Sequence, residues 1–215
     1  MKIISHRGLW KNADEKNSLT AFDRSFCLGF GTETDVRDCC GSLVISHDIP
    51  HDTSVNLGDL LAMASGMLPH SPLTLALNVK ADGLAALIAE QISAYPNLDC
   101  FVFDMSIPDM RSYLAAGVPV FSRMSEVERE PVWLEHAAGV WLDAFESEWY
   151  NVSDIRRILC SGKRVCVVSS ELHRRPYEAL WNSLVQLVDE PNLLLCTDLP
   201  EEAFAFFSAR SGVKS

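Results

Sequence analysis

Short apolar runs alternate along this chain with segments whose apolar residues fall at helical spacing. The runs at residues 2–5, 31–36, 73–79, 100–103, 118–122, 139–142, 164–169 and 193–196 predict strands, and 43–46 reads as an extra short strand or a continuation of the second. The helical segments carry their own punctuation. Asn17 or Ser18 is placed to cap a helix that presents Leu19, Phe22 and Phe26 on one face and ends at Gly29. Asp82 is placed to cap Leu84, Leu87, Ile88 and Ile92, and Ser153 to cap Ile155, Ile158 and Leu159. Pro176 suits the first turn of 177–188, and Asp198-Leu199-Pro200-Glu201 reads as a cap and acidic first turn ahead of Phe204 and Phe207. Repeated strand–helix units imply an α/β protein with a mainly parallel sheet, and eight principal strands fit a (β/α)8 TIM barrel. An open doubly wound sheet uses the same alternation but carries a glycine-rich turn after its first strand, which His6-Arg7-Gly8 is not.

Composition narrows the class. With 215 residues, 48% of them hydrophobic, and no linker-like or low-complexity stretch, the chain is expected to form one domain over 1–215. A formal charge of −11 speaks against nucleic acid and anionic membranes as partners, since both reward a contiguous basic face. A small anionic substrate remains compatible with it. Seven cysteines, mostly in apolar surroundings, read as reduced thiols; Cys39-Cys40 suggests a vicinal disulfide or a soft-metal site, but no CxxC spacing supports either. The apolar stretch before His6 is too short for a signal peptide, and no run approaches the ~20 apolar residues of a membrane helix, so the expected location is the cytoplasm.

The polar residues that close several runs carry the chemistry. They are His6, Glu33 with Asp35, His47, and Asn78 with Lys80. Barrel enzymes build their sites at the carboxyl ends of strands. Glu33 and Asp35, two apart on one strand, share a face with α-carbons about 6.6 Å apart. Burying both without a cation costs several kcal/mol or forces one to keep a proton. Their carboxylates, with the amide oxygen of Asn78, suit Mg²⁺ or Ca²⁺ rather than zinc. The alternative is an internal ion-pair network with Arg7, Arg37 or Lys80. Singly, His6 and His47 read as hydrogen-bonded structural residues; together, beside such a cluster, they supply the general acid and base for opening a P–O bond near neutral pH. A zinc cluster of His47, Asp48, His51 and Asp52 is opposed by Pro50, which breaks the helix that would align the ligands. Arg123, Asp143, Glu171 and Asp198 also end strands, and 171–174 reads as a charged loop. Trp141, Phe145, Trp149 and Tyr150 form either an apolar wall or core; His70 and His136 have no evident partner.

Several linked motifs in order resemble the glycerophosphodiester phosphodiesterase family, among the phospholipase-C-like phosphodiesterase barrels. They are Ser5-His6-Arg7-Gly8, Lys16-Asn17-Ser18-Leu19-Thr20-Ala21-Phe22, Gly31-Thr32-Glu33-Thr34-Asp35-Val36, Leu43-Val44-Ile45-Ser46-His47-Asp48, Asn78-Val79-Lys80 and Thr197-Asp198-Leu199-Pro200. The resemblance implies hydrolysis of a glycerophosphodiester to a phosphomonoester and an alcohol. It implies His6 and His47 as the acid/base pair, Glu33 and Asp35 as metal ligands, and Arg7 and Lys80 as phosphate-binding groups. In related enzymes a neighbouring glycerol hydroxyl attacks first, giving a cyclic phosphate that water opens. The chain departs from the family pattern at Lys16 and Asn78, where glutamate is usual, and 48–73 is short for the family's inserted segment. The loss of a charge at Asn78 implies weaker metal binding. Two other classes stay open: a catalytically silent barrel that binds a phosphorylated metabolite or a protein partner, and a metal-independent phospholipase-type lyase in which Lys80 or Arg7 replaces the cation.

Overall fold

The computed structural model describes residues 1–51, 54–67 and 72–210; Asp52 and His70 lie outside the described residues. Contacts divide the chain into two compact units, Ser5–Phe121, and Met1–Ile4 with the chain from Ser122 on. No helix among the described residues is long and apolar enough to cross a membrane.

In the Ser5–Phe121 unit the strands are the end of β1 (Lys2–His6), β2 (Gly31–Cys39), β3 (Ser42–Ile45), β4 (Val55–Asn56), β5 (Thr74–Val79) and β6 (Asp99–Phe103). The helices are α1 (Leu19–Cys27), α2 (Leu57–Gly66), α3 (Ala85–Ser93) and α4 (Ile107–Ala115). β2 runs parallel to β5, and β5 parallel to β6; β3 folds back antiparallel on the far half of β2. The extra strand is therefore a hairpin partner. Its turn is Cys40-Gly41, both with positive φ (50° and 83°), the conformation a tight two-residue hairpin requires.

Register builds the interior of this unit in layers. Glu33 lies opposite Ala76, and Ala76 opposite Phe101; one step on, Asp35 lies opposite Asn78, and Asn78 opposite Phe103. The small Ala76 leaves room for Phe101, which stacks on Phe121 with ring centroids 3.7 Å apart. Leu75, Leu77 and Val79, on the other face of β5, are buried as well. A strand buried on both faces is what a parallel sheet covered by helices needs.

In this unit one helix cap follows the sequence expectation, and one cap and one strand boundary differ from it. Ser18 caps α1, accepting from the Ala21 N–H, as one of the two candidates. α3 begins after Leu84 without a side-chain cap, so Asp82 does not serve there. The expected fifth strand at 118–122 becomes the bridge Val102–Val120 followed by β7 (Phe121–Met124), because Pro119 has no N–H for a ladder and offers only its carbonyl, which accepts from Val102.

In the other unit β1, β10 (Leu193–Thr197), β9 (Arg164–Val168), β8 (Gly139–Leu142) and β7 lie side by side, with β8, β9 and β10 parallel. α5 (Val152–Cys160), α6 (Glu178–Leu184) and α7 (Pro200–Ser208) pack Ile155, Ile158, Trp181, Leu184 and Phe207 into its core. Asn151, not Ser153, caps α5, through a reciprocal box with Asp154. Leu199 precedes Pro200 at the start of α7, so Asp198 is displaced from the cap by one residue.

Gly8 shows how tightly the first turn is built. Its φ is +84°, and a Cβ there would fall 2.7 Å from Ala21 Cβ and 2.8 Å from the Ala21 carbonyl carbon. The overlap and the left-handed backbone together set the expected cost of Gly8→Ala at about 2–4 kcal/mol, read as a lowered denaturation midpoint with unchanged slope.

Candidate functional site

The site lies in the Ser5–Phe121 unit and starts from the turn that leaves β1. Ser5 Oγ bonds to Ser25 Oγ (2.8 Å) and Thr32 Oγ1 (3.0 Å), and the Gly8 N–H donates to Thr32 Oγ1 (2.9 Å). The Arg7 N–H donates to the Glu33 carbonyl at 2.9 Å. These buried bonds hold Arg7 at φ +60° against β2. Positive φ in a residue this large persists only where its surroundings enforce it.

Asp35 is the hub. It is fully buried, and three side chains converge on it: Arg7 Nε at 2.9 Å from Oδ2, Lys80 Nζ at 3.3 Å from Oδ1, and the Asn17 amide, which donates to Oδ2 at 2.9 Å. The Arg7 contact is an ion pair without the alignment of a hydrogen bond. Asn17 in turn accepts from Thr34 Oγ1 at 2.8 Å and also has φ +60°. Its role is to hold Asp35, not to cap α1. Asparagine's tolerance of the left-handed region was the one signal in the sequence that pointed away from a cap.

Glu33 sits one layer deeper with 2% of its surface exposed. Burial first, and the Asp35 charge second, push its carboxyl up to about 8; Arg7, Lys80 and a hydrogen bond from Asn78 pull the other way. His6 Nε2 is 3.8 Å from Glu33 Oε2. Among the described residues three buried oxygens, Glu33 Oε2, Asp35 Oδ1 and Asn78 Oδ1, have no hydrogen-bond partner, Asp35 Oδ1 having only the Lys80 ion pair. Hard oxygen atoms left in this state are the donor set that Mg²⁺ or Ca²⁺ takes. Among the described residues no three His, Cys, Asp or Glu side chains gather to hold a metal. The amide oxygen of Asn78 would therefore have to be the third protein donor.

Glu33 makes stability depend on pH. Its protonated form contributes stability that is complete below about 4.5, declines as the unfolded chain ionises, and is gone once pH rises through about 8. The expected result in chelator-containing buffer is a loss of about 3–5 kcal/mol between pH 5 and 9 attributable to this group. Glu33→Gln should flatten that slope in denaturation curves taken across the range.

His47 follows β3, where the Ser46 N–H donates to the Asp35 carbonyl at 3.1 Å. Its half-exposed imidazole pairs with Asp48, Nδ1 to Oδ1 at 2.9 Å, and its carbonyl accepts from Arg37 Nε at 3.1 Å. The structure thus brings together Arg7, Glu33, Asp35, Asn78 and Lys80, with His6 beside Glu33; it pairs Ser46, the residue before His47, with the Asp35 carbonyl and turns the His47 imidazole to Asp48. Asp48 is held below the ordinary carboxylate range by the hydrogen bond from His47, with help from the Arg37 and Arg7 charges.

The weaker candidates belong to the other unit. Asp143 is buried and takes His173 Nε2 at 2.7 Å. Glu171 accepts from Thr197 Oγ1 and the Asp198 N–H, and Arg123 pairs with Glu128. Trp141 and Tyr150 are core residues, the Trp149 indole donates to the Asp143 carbonyl, and Phe145 lies against the His173 ring. His136, exposed, is near Glu135.

No protein-family model matches the chain, and no curated protein matches it in sequence. Solved structures do. A glycerophosphodiester phosphodiesterase from Agrobacterium tumefaciens aligns over 97% of this chain and 99% of its own, with a TM-score of 0.69 at 17% identity. A glycerophosphoryl diester phosphodiesterase from Parabacteroides distasonis aligns over 100% and 88%, with a TM-score of 0.57 at 13% identity. A Ca²⁺-dependent phosphatidylinositol-specific phospholipase C from Streptomyces antibioticus aligns over 96% of both chains, with a TM-score of 0.61 at 12% identity. The likeness shows the fold alone, the β/α barrel that the strand count predicts.

Proposed function

We propose that this chain is a phosphoric diester hydrolase that uses a divalent cation, Mg²⁺ or Ca²⁺, to hydrolyse a small glycerophosphodiester. The observation that carries the reading is a set of three buried oxygens without a hydrogen-bond partner among the described residues, Glu33 Oε2, Asp35 Oδ1 and Asn78 Oδ1, with Arg7 and Lys80 ion-paired to Asp35. The named activities of the solved structures that share the fold support it. The 215 residues act as one barrel domain, and seven free cysteines support a reducing cytoplasmic setting.

Glu33, Asp35 and Asn78 hold the cation, which when bound offsets charge developing on a phosphate oxygen. Arg7 and Lys80 bind the phosphate oxygens and orient the diester. His6 and His47 divide the two proton transfers. One takes the proton of the attacking hydroxyl as the new P–O bond forms; the other gives a proton to the oxygen of the departing alcohol as its P–O bond breaks. Where a glycerol hydroxyl attacks first, water opens the cyclic phosphate with the roles exchanged. Glu33 orients His6, and Asp48 orients His47.

A second reading rests on Arg7 and Lys80, whose two positive charges already flank Asp35 and serve a metal-independent lyase equally well. Incubation of the purified protein with glycerophosphocholine and related diesters, with Mg²⁺ or Ca²⁺ and then with chelator, separates the cases. Turnover that chelation removes is the expected result. Turnover that survives it favours the lyase, and none across a broad diester panel leaves a binding barrel.

A further inference from the structure

Arg37 is a cation that the proposed reaction leaves unused. It stands two residues beyond Asp35 on β2, on the face that Glu33 and Asp35 share, where β2 has parted from β5 and runs on with β3 alone. Its Nε donates to the His47 carbonyl at 3.1 Å, which fixes the half-buried guanidinium at the backbone of a proposed acid/base residue. Its terminal nitrogens meet no carboxylate among the described residues. The acids around it are otherwise engaged: Asp48 holds the His47 ring, and Asp35 takes Arg7 and Lys80. Asp38, next in sequence, is exposed and falls on the other face of the strand. The Arg37 and Arg7 charges both act on Asp48, so the two cations lie within electrostatic reach of one carboxylate.

We propose that Arg37 is a specificity-determining residue, which binds an oxyanion, a carboxylate or a phosphomonoester, that the diester carries beyond its scissile phosphate. The assignment rests on the phosphodiesterase reading above and adds to it the class of diester. A guanidinium whose Nε is committed to a backbone carbonyl keeps its planar pair of Nη groups, and that fork matches the oxygens of a carboxylate or a phosphate. Acidic residues outnumber basic ones 29 to 18 in this chain, yet beside His47 the fork meets none of those described. A substrate anion completes it. Arg7 and Lys80 do not supply this preference, because both are held on Asp35 and serve the scissile phosphate.

Matched pairs of diesters that differ by a single oxyanion test it: glycerophosphoserine against glycerophosphoethanolamine for the carboxylate, and glycerophosphoinositol phosphate against glycerophosphoinositol for the phosphomonoester. The wild type is expected to favour the member with the extra oxyanion in at least one pair by roughly tenfold in kcat/KM, mainly through KM, the size of a charge-assisted hydrogen bond near the surface. Arg37→Gln should bring that pair to equality, and Arg37→Lys should keep part of the preference, because the charge remains and the fork does not. If Arg37 only steadies the turn that bears His47, Arg37→Gln lowers kcat for both members of each pair by the same factor and leaves their ratio unchanged. That result overturns the proposal, as does a wild type without preference in either pair. Should no diester be turned over, the phosphodiesterase reading fails by itself, and calorimetric titration with phosphoserine and phosphoethanolamine decides the Arg37 assignment. Tighter binding of phosphoserine that Arg37→Gln abolishes upholds it; equal affinities, or binding of neither, overturn it.

Discussion

Replacing Asp35 with alanine is expected to cost about 3–5 kcal/mol of folding stability and to abolish turnover. The carboxylate has no solvent exposure and holds three groups at once, Arg7, Lys80 and the Asn17 amide. Truncation leaves two cations facing each other across a cavity, with the Asn17 amide without its acceptor. The Arg7 and Lys80 side chains keep 20% and 21% of their surface, so water moderates their repulsion and the value belongs toward the lower end of that range. Asp35→Asn retains volume and loses only charge, so roughly half the cost is expected. Glu33→Gln, two residues away, has the opposite sign above neutral pH, because it removes a charge that burial disfavours. Chemical denaturation of the three variants at pH 8 checks the contrast, and a loss below about 1 kcal/mol for Asp35→Ala would show that the cluster is not organised around this residue.

That contrast explains why part of the site is legible in the sequence. Strand parity puts Glu33 and Asp35 on one face of their strand and Asn78 on one face of β5 with Ala76 and Lys80; the register that sets Asn78 opposite Asp35 comes from the pairing of β2 with β5 and is not written in either strand alone. Parity does not say which carboxylate receives the cations. That depends on Arg7, held at a positive φ by the hydrogen bonds that tie its own N–H and that of Gly8 to β2, and on Asn17, whose amide reaches β2 from a loop. Loop-borne contacts have no periodicity to betray them. Boundaries moved for local reasons, as at Pro119, where a missing donor delays β7. His47 lies where the run before it ends, yet the direction of an exposed imidazole depends on its neighbour Asp48, not on the strand.

His6→Ala is expected to lower kcat by about 10²–10⁴ while leaving stability within about 1 kcal/mol of the wild type. The turn around His6 is held by backbone groups: the Arg7 N–H on the Glu33 carbonyl, and the His6 carbonyl receiving Trp10. Neither depends on the imidazole, so the fold survives its removal and a rate loss reports chemistry. His47→Ala should give a loss of the same order, since each histidine carries one of two proton transfers. The pH profile distinguishes them from residues that only position substrate. With both present, kcat/KM is bell-shaped; loss of the base removes the dependence on the acid side, and loss of the acid removes it on the alkaline side. If the two variants flatten opposite limbs, the roles are assigned without reference to any other enzyme. A His6→Ala rate within tenfold of the wild type, with both limbs intact, would remove it from the proton transfers and leave its 3.8 Å approach to Glu33 as an electrostatic contact alone.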